Sequence, residues 1–165
     1  MLRIGGKHVS QCFGLAKMPS DFRGMEKNLS LQNVINAVRE FHDAFKIPNS
    51  ERPNSSLTED EVMLRYRLMA EENDEYLEAA KAGDMVEIAD ALGDQLYILC
   101  GTILRHGMHD VIEDVFKEIQ ASNMSKLGAD GKPIYREDGK VLKGPNYFKP
   151  NIKEAMENAL MELEA

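Results

Sequence analysis

Six acidic residues at helical spacing are the part of this sequence best suited to chemistry: Glu71, Glu72, Glu75, Glu87, Asp90 and Asp94. At about 100° per residue, the first three fall within about 100° of one another, on the stripe that carries Leu64 and Leu68. The last three fall within about 60° of arc on the next helical segment. Each group therefore predicts an acidic stripe on a core-facing side of a helix.

Carboxylates on such stripes need a compensating positive charge, because an unpaired buried carboxylate costs several kcal/mol, order of magnitude. The two segments contain only four basic side chains, too few and mostly too distant: Arg65, Arg67, Lys81 and Arg105. A bound divalent cation would supply the missing positive charge. Oxygen donors favour magnesium, with Mn²⁺ as a substitute, over zinc. The sequence therefore predicts that the pairs Glu72/Glu75 and Glu87/Asp90 point into one gap and bind Mg²⁺.

The alternative for the acidic residues is a solvated helix face without function. Acidic pairs three residues apart are common on helix surfaces. Glu87 is also placed to cap the third helix together with Asp84, and a carboxylate used for capping is a weaker metal ligand. The two helical stripes taken together favour the metal site over this alternative.

Two antiparallel helices are expected to position the carboxylates. Thr58 and Glu61 have the form of a capping box, which predicts a helix from about Glu59 to Ala82. Gly83 ends it, and a third helix follows as far as about Arg105. Apolar residues surround the axis of this third helix, so we expect it to be buried nearly all round.

Three further helices and one hairpin complete the predicted fold. A first amphipathic helix runs from Ser30 towards Pro48, a fourth ends near Ser122, and a last one follows Asn151 through about Leu163. The turn signal in 133–142 predicts a small β-hairpin in a long loop. The fold class is thus all-α, a helical bundle of four to five helices with a small β-hairpin in a C-terminal loop. Residues 1–29 form an irregular N-terminal extension, and residues 30–165 form the single domain.

Composition excludes several classes of function. The net charge of −8 argues against nucleic acid as a partner, because such proteins usually present a basic face. The sequence contains no run of membrane-spanning length, and because no apolar core follows the basic residues at its start, we expect no secretory signal. Cys12 and Cys100 do not form a disulfide framework. We therefore expect no membrane association and a reducing, cytoplasmic setting.

The acidic strings are also similar to those of a known enzyme superfamily. Glu71-Glu72-Asn73-Asp74-Glu75 and Glu87-Ile88-Ala89-Asp90 resemble the EExxE and ExxD motifs of MazG-like all-alpha nucleoside triphosphate pyrophosphatases. Dimeric dUTPases, dCTP pyrophosphatases and phosphoribosyl-ATP pyrophosphohydrolases belong to this superfamily. The resemblance covers residues 30 to 128.

The resemblance implies roles for individual residues. Glu72, Glu75, Glu87 and Asp90 would bind magnesium, and Glu71 would orient or deprotonate the attacking water or hold a further ion. Asp94 would support the ligands without binding the metal. Asn123 and Lys126 match an Asn-x-x-Lys element that contacts phosphate. The resemblance also implies a homodimer or homotetramer.

Other side chains are candidates to bind the nucleotide. Lys143, Tyr147 and Lys149 lie in the loop after the fourth helix and could contact the triphosphate, with solvent exposure as the alternative. Phe41, His42 and Phe45 on the first helix could form a pocket for the base. Core packing is the preferred interpretation of these three, because Phe41 and Phe45 lie on the apolar stripe.

The predicted function is magnesium-dependent hydrolysis of a nucleoside triphosphate between the α- and β-phosphates, which gives a nucleoside monophosphate and pyrophosphate. A house-cleaning enzyme for dUTP or dCTP fits this prediction. One alternative is a phosphoribosyl-ATP pyrophosphohydrolase. Another is a noncatalytic helical module that binds magnesium, nucleotide or a partner protein.

Overall fold

The computed structural model describes residues 30–164 of the chain. Within them are five α-helices: α1 (Leu31–Ala44), α2 (Glu59–Ala82), α3 (Met85–Arg105), α4 (Ile112–Met124) and α5 (Ile152–Leu163). The prediction of an all-α helical bundle is confirmed, whereas the interpretation of residues 1–29 lies outside the described residues. No helix in this part of the chain is long and apolar enough to cross a membrane.

The chain divides after Gly107 into two compact units. The first contains α1, α2 and α3, and α3 packs against both of the others. Ile35 and Val38 of α1 and Cys100 and Leu104 of α3 are among its fully buried side chains. These apolar residues recur at helical spacing, so one face of α1 and one face of α3 supply the core.

The start of each of the first three helices is set by a side-chain cap. Ser30 accepts from the N–H of Asn33, and Thr58 forms the predicted capping box with Glu61. Such caps satisfy amide groups that lack partners inside the helix, and each contributes about 1 kcal/mol. The predicted boundaries of α2 agree with the structure at both ends.

The prediction that α3 is buried nearly all round is wrong. Leu92, Leu96 and Leu99 are 49%, 44% and 47% exposed, and Met85 and Val86 at the start of the helix are also exposed. Among the described helices, α3 packs mainly against α1 and α2. One apolar face of α3 is therefore left uncovered.

The second unit contains α4, α5 and the long segment between them. Val111, Val115 and Ala159 are buried in it, and the buried hydroxyl of Ser122 donates to the Phe148 carbonyl at 2.8 Å. The predicted hairpin is not formed as two strands, since residues 133–142 contain only an isolated antiparallel bridge between Tyr135 and Val141. Residues 129–142 are exposed throughout. A two-stranded hairpin without a face to bury is marginal.

Candidate active site on helices α2 and α3

A tight turn sets the two acidic helices side by side. Gly83 ends α2 in the left-handed conformation at φ 70°, and Asp84 caps α3 by accepting from the N–H groups of Val86 and Glu87. The amide of Gln95 donates to the backbone carbonyl of Glu72 at 3.2 Å. This contact joins the middle of α2 to the middle of α3.

Glu72 is the buried centre of the acidic cluster. Its side chain is 4% exposed, and its Oε2 atom has no hydrogen-bond partner within residues 30–164. Burial raises the pKa of Glu72, and the neighbouring carboxylates of Glu75, Glu71 and Asp90 raise it further. A carboxylate in these surroundings is ionised only at a cost, because both desolvation and like charges oppose it.

The other predicted ligands are more exposed than the sequence suggested. Glu71, Glu87 and Asp90 are exposed, and Glu75 is half-buried. Asp94, predicted to support them, is also half-buried. The prediction of a buried carboxylate is therefore confirmed for Glu72 alone.

A cleft of about 240 Å³ continues the acidic surface towards the turn between the helices. Glu75 and Glu87 both line it, so it joins one predicted ligand from each helix. Glu78 and Asp84 line it as well, although sequence reasoning did not select them as site residues. Glu78 could have been selected from the sequence, because it lies three residues after Glu75 on the same helix face.

Glu87 is not used for capping. The N–H of Asp84, which a reciprocal capping box would satisfy with Glu87, donates instead to the carbonyl of Ala79 at 3.1 Å. Asp84 alone caps the helix through its own carboxylate. The alternative role considered for Glu87 is thus absent, and its carboxylate faces the cleft.

The basic side chains of these helices lie elsewhere. Arg105 forms an ion pair with Glu61 near the start of α2, and Arg65 lies beside Gly101 on α3. Within residues 30–164, no lysine or arginine is ion-paired with Glu71, Glu72 or Asp90. The described chain therefore leaves the buried carboxylate without a compensating cation.

The donor set suits a hard cation. As the side chains stand, no three acidic, histidine or cysteine residues of the described chain converge tightly enough to hold a metal ion. Nevertheless, the unpartnered Oε2 of Glu72 among three carboxylates fits Mg²⁺, which binds through few protein oxygens and retains several waters.

The predicted phosphate-binding residues lie in the second unit. Lys126 donates to the Asn123 side-chain oxygen at 2.7 Å, and the N–H of Gly144 donates to the Lys126 carbonyl at 2.9 Å. The ammonium of Lys143 lies 4.2 Å from the centre of the Tyr147 ring. The structure thus forms the pairs Asn123/Lys126 and Lys143/Tyr147, whereas Lys149 is exposed.

The aromatic residues of α1 are divided between core and surface. His42 is 3% exposed, and Phe41 meets Tyr97 of α3 edge to face at 5.7 Å. Phe45 is 65% exposed and stacks on Phe41. The preferred interpretation as core residues is therefore wrong for Phe45, which is the C-cap residue of α1.

Two comparisons with known proteins give matches, one to a family model and one to a solved structure. A family model described as phosphoribosyl-ATP pyrophosphohydrolase matches residues 38–123, just over half of the chain. A crystal structure of a "putative NTP pyrophosphohydrolase" from Exiguobacterium sp. 255-15 is 28% identical, covering 81% of this chain and 98% of the other, with a TM-score of 0.42. No curated protein gives a significant match.

Proposed function

Because the chain belongs to the phosphoribosyl-ATP pyrophosphohydrolase family, enzymes that hydrolyse pyrophosphate bonds of nucleotides, we propose that it cleaves its substrate between the α- and β-phosphates with Mg²⁺. The products are a nucleoside monophosphate and pyrophosphate. One observation carries the metal dependence: Glu72 is buried among other carboxylates, and its Oε2 atom has no partner in the described chain.

Magnesium would be held by Glu72, Glu75, Glu87 and Asp90, with Mn²⁺ as a substitute. When bound, it would neutralise charge on the phosphates and on the leaving pyrophosphate and acidify a water molecule. Glu72 gains most from the ion, because its carboxylate lacks solvent and a partner. Glu75 lines the cleft shared with Glu87 and also raises the pKa of Glu72, so it connects the two groups of carboxylates.

Glu71 is proposed as the residue that orients the attacking water and accepts its proton. Its carboxylate is exposed and is close enough to Glu72 to raise the pKa of that residue. Asp94 is half-buried on the same stripe of α3 as Asp90, where it would orient the ligands. Asn123, Lys126, Lys143, Tyr147 and Lys149 remain the proposed substrate-binding residues. Their amide, ammonium and phenol groups can donate to phosphate oxygens.

The substrate is proposed to be a deoxynucleoside triphosphate such as dUTP or dCTP, or phosphoribosyl-ATP. The match to the family model is the observation that supports phosphoribosyl-ATP, the second of these candidates. The purified protein should be incubated with a panel of ribo- and deoxynucleoside triphosphates and with phosphoribosyl-ATP, with and without chelator. Chromatography should then detect a monophosphate and pyrophosphate with magnesium, and neither with chelator.

Substitution of the carboxylates tests their assignment. We expect Glu75→Ala and Asp90→Asn to lower kcat by at least about a hundredfold, as for removal of an electrostatic catalytic contact. Asp74→Asn, at an exposed position of α2, is the matched control and should retain turnover. Unchanged turnover in the first two variants would refute the proposed metal site. Absence of turnover in the wild type with every nucleotide would favour a noncatalytic binding module.

A second copy of the chain is proposed to cover the exposed apolar face of α3. Leu92, Leu96 and Leu99 lie at successive helical turns and are each about half exposed. They also line an apolar cleft of about 370 Å³ together with Met69 of α2. A continuous apolar surface of this kind is typical of an interface. Light scattering should give the mass of a homodimer or homotetramer, whereas a monomer at micromolar concentration would contradict it.

The cytoplasm is the proposed setting. Cys100 is a buried free thiol, and burial raises its pKa. Such a thiol needs no oxidising compartment for the fold to be stable.

A further inference from the structure

One face of the pair of helices α2 and α3 carries a row of exposed apolar side chains on each helix. The rows consist of side chains that are 38% to 73% exposed: Val62, Tyr66, Tyr76, Leu77, Met85, Leu92, Leu96 and Leu99. On α2 they fall within about 100° of arc, and on α3 within about 60°. The two rows adjoin, because Met69 of α2 lines an apolar cleft together with the three leucines of α3. The two helices therefore present one continuous apolar surface.

This surface is large enough for a stable interface. A large side chain presents about 150–250 Å² when fully exposed, so these side chains, on average half exposed, offer roughly 700 Å². A stable interface between two proteins buries about 800 Å² on each side. The same surface is present on every copy of the chain, as an interface related by a two-fold axis requires. A second copy of the chain is therefore the partner that this surface fits.

Two carboxamides interrupt the apolar surface. Asn73 lies in the middle of the α2 row and Gln95 lies beside the α3 row, and both line the apolar cleft. The side-chain nitrogen of Gln95 donates to the backbone carbonyl of Glu72 at 3.2 Å. Because a carbonyl can only accept, this contact fixes which end of the carboxamide is the nitrogen. The side-chain oxygen of Gln95 is left to accept a further hydrogen bond.

A second copy would remove both carboxamides from water. Within residues 30–164 no hydrogen bond joins Asn73 to Gln95, although both line one cleft. A buried amide without a partner is costly, so buried polar groups in proteins are nearly always paired. Asn73 has two N–H donors, and Gln95 has an oxygen that accepts. Each can satisfy the other across a two-fold axis, where a contact of one residue with another is repeated in reverse.

We propose that Asn73 of one copy donates a hydrogen bond to the side-chain oxygen of Gln95 in a second copy, and that this pair, formed twice, fixes how the two apolar surfaces align. This proposal rests on the second copy in the proposed function and names the contact that orients it. An apolar surface alone tolerates several alignments, because hydrophobic contact is not directional. A buried polar pair excludes the alignments that leave its amides unpaired, as single polar residues do in coiled coils.

Single substitutions should weaken the association of the copies. Asn73→Leu and Gln95→Met keep the approximate size of the side chain but leave the partner amide buried without a hydrogen bond. Each should raise the dissociation constant between copies by about tenfold or more. The double variant buries neither amide and should associate more tightly than either single variant. Sedimentation equilibrium measures the dissociation constants, and circular dichroism shows that each variant is folded.

Mixing the two single variants tests whether the contact crosses between copies. In a dimer of one Asn73→Leu chain and one Gln95→Met chain, one of the two contacts retains both amides and the other retains neither. No amide is left unpaired, so mixed dimers should exceed the half of all dimers that random pairing gives. Loss of the bond to Glu72 affects each Gln95→Met chain equally in mixed and unmixed dimers, so it cannot produce this preference.

Native mass spectrometry of chains with different isotope labels measures the mixture. As a control, Asn36→Leu replaces an exposed asparagine of α1, and this variant should pair at random with Gln95→Met. Random pairing of Asn73→Leu with Gln95→Met, or single effects that multiply in the double variant, would overturn the proposed pair while leaving the second copy in place. A wild type that is monomeric at micromolar concentration would overturn both. Neither result depends on turnover, so hydrolysis is decided by the nucleotide panel alone.

Discussion

Replacing Glu72 with glutamine should stabilise the metal-free protein and destabilise it relative to wild type when magnesium is present. Glu72 is 4% exposed and has one oxygen without a partner in the described chain. Glutamine keeps the shape of the side chain but removes the charge that Glu75, Glu71 and Asp90 oppose. Its amide can also donate to these neighbouring carboxylates.

The magnitude follows from burial and like-charge repulsion. A buried polar group without a partner costs about 1–3 kcal/mol, and charged groups cost more. Because glutamine retains a polar side chain at the same place, we expect a gain of about 1–2 kcal/mol in the free energy of unfolding. For a chain of this size the melting temperature should rise by about 3–7 °C in chelator.

Magnesium should reverse the order of the two proteins. A ligand present at a hundred times its Kd stabilises the folded state by about 2.7 kcal/mol, more than the variant gains. The variant has lost its central ligand and should respond weakly. Thermal unfolding should be followed by circular dichroism at neutral pH, first with chelator and then with increasing magnesium. The melting temperature of the variant should be above that of wild type in chelator and below it with magnesium.

The pH dependence provides an independent check. Burial raises the pKa of Glu72 above its ordinary 4.5, so the folded state holds this proton more tightly than the unfolded state does. Ionised Glu72 therefore lowers the free energy of unfolding at pH values above its pKa in the folded state, and this effect vanishes below pH 4.5. In chelator, the higher stability of Glu72→Gln over wild type should vanish below pH 4.5 as well. Asp74→Asn, exposed on the same helix, is the control. A variant less stable than wild type in chelator at neutral pH would refute this reasoning.

Two further predictions concern the frame around the site. A hydrogen bond from Thr58, with a further bond from Arg105, holds the pKa of Glu61 at about 2 rather than 4.5. Ionised Glu61 therefore stabilises the fold above pH 4.5, and this stabilisation is lost as the pH falls towards 2. The loss of stability of Glu61→Gln in acid should be smaller than that of wild type over this range. Gly83→Ala should lower the free energy of unfolding by about 1 kcal/mol, because the positive φ of residue 83 is its only obstacle. Gly107→Ala faces a positive φ as well, and its Cβ would also lie 2.0 Å from a backbone oxygen. Urea unfolding should therefore show a cost several times larger for Gly107→Ala, and equal costs would contradict the close approach.

The helices could be predicted from the sequence because their end signals are local. Thr58 and Glu61 define the start of α2, Gly83 its end, and Asn151 the start of α5 within a residue of the structure. A cap requires only the geometry of one helical turn, so no distant contact can change it. The acidic motif is also local, which is why its helical stripes could be placed in advance.

The exposure of the carboxylates could not be predicted in the same way. Helical spacing places Glu71 and Glu72 on adjacent positions of one face, but only tertiary packing determines that Glu72 is buried and Glu71 is exposed. The face of α3 that carries Leu96 has the apolar composition of a core, but no element of the described chain covers it. Periodicity reports which residues favour burial, and the available neighbours decide which are buried.

The close approach of Arg65 and His42 to Gly101 was missed because it depends on tertiary packing rather than on a motif. Gly101 gives no signal in the sequence that distinguishes a crowded glycine from an ordinary one, and the three residues come from three helices. The structure nevertheless gives this cluster and the acidic cluster the same physical property, an incompletely compensated charge held by packing. Such charges lower the stability of the free protein and favour binding of the opposite charge. A nucleotide bound with its metal would relieve the charge of the acidic cluster, so substrate and magnesium together should stabilise the fold more than either does alone.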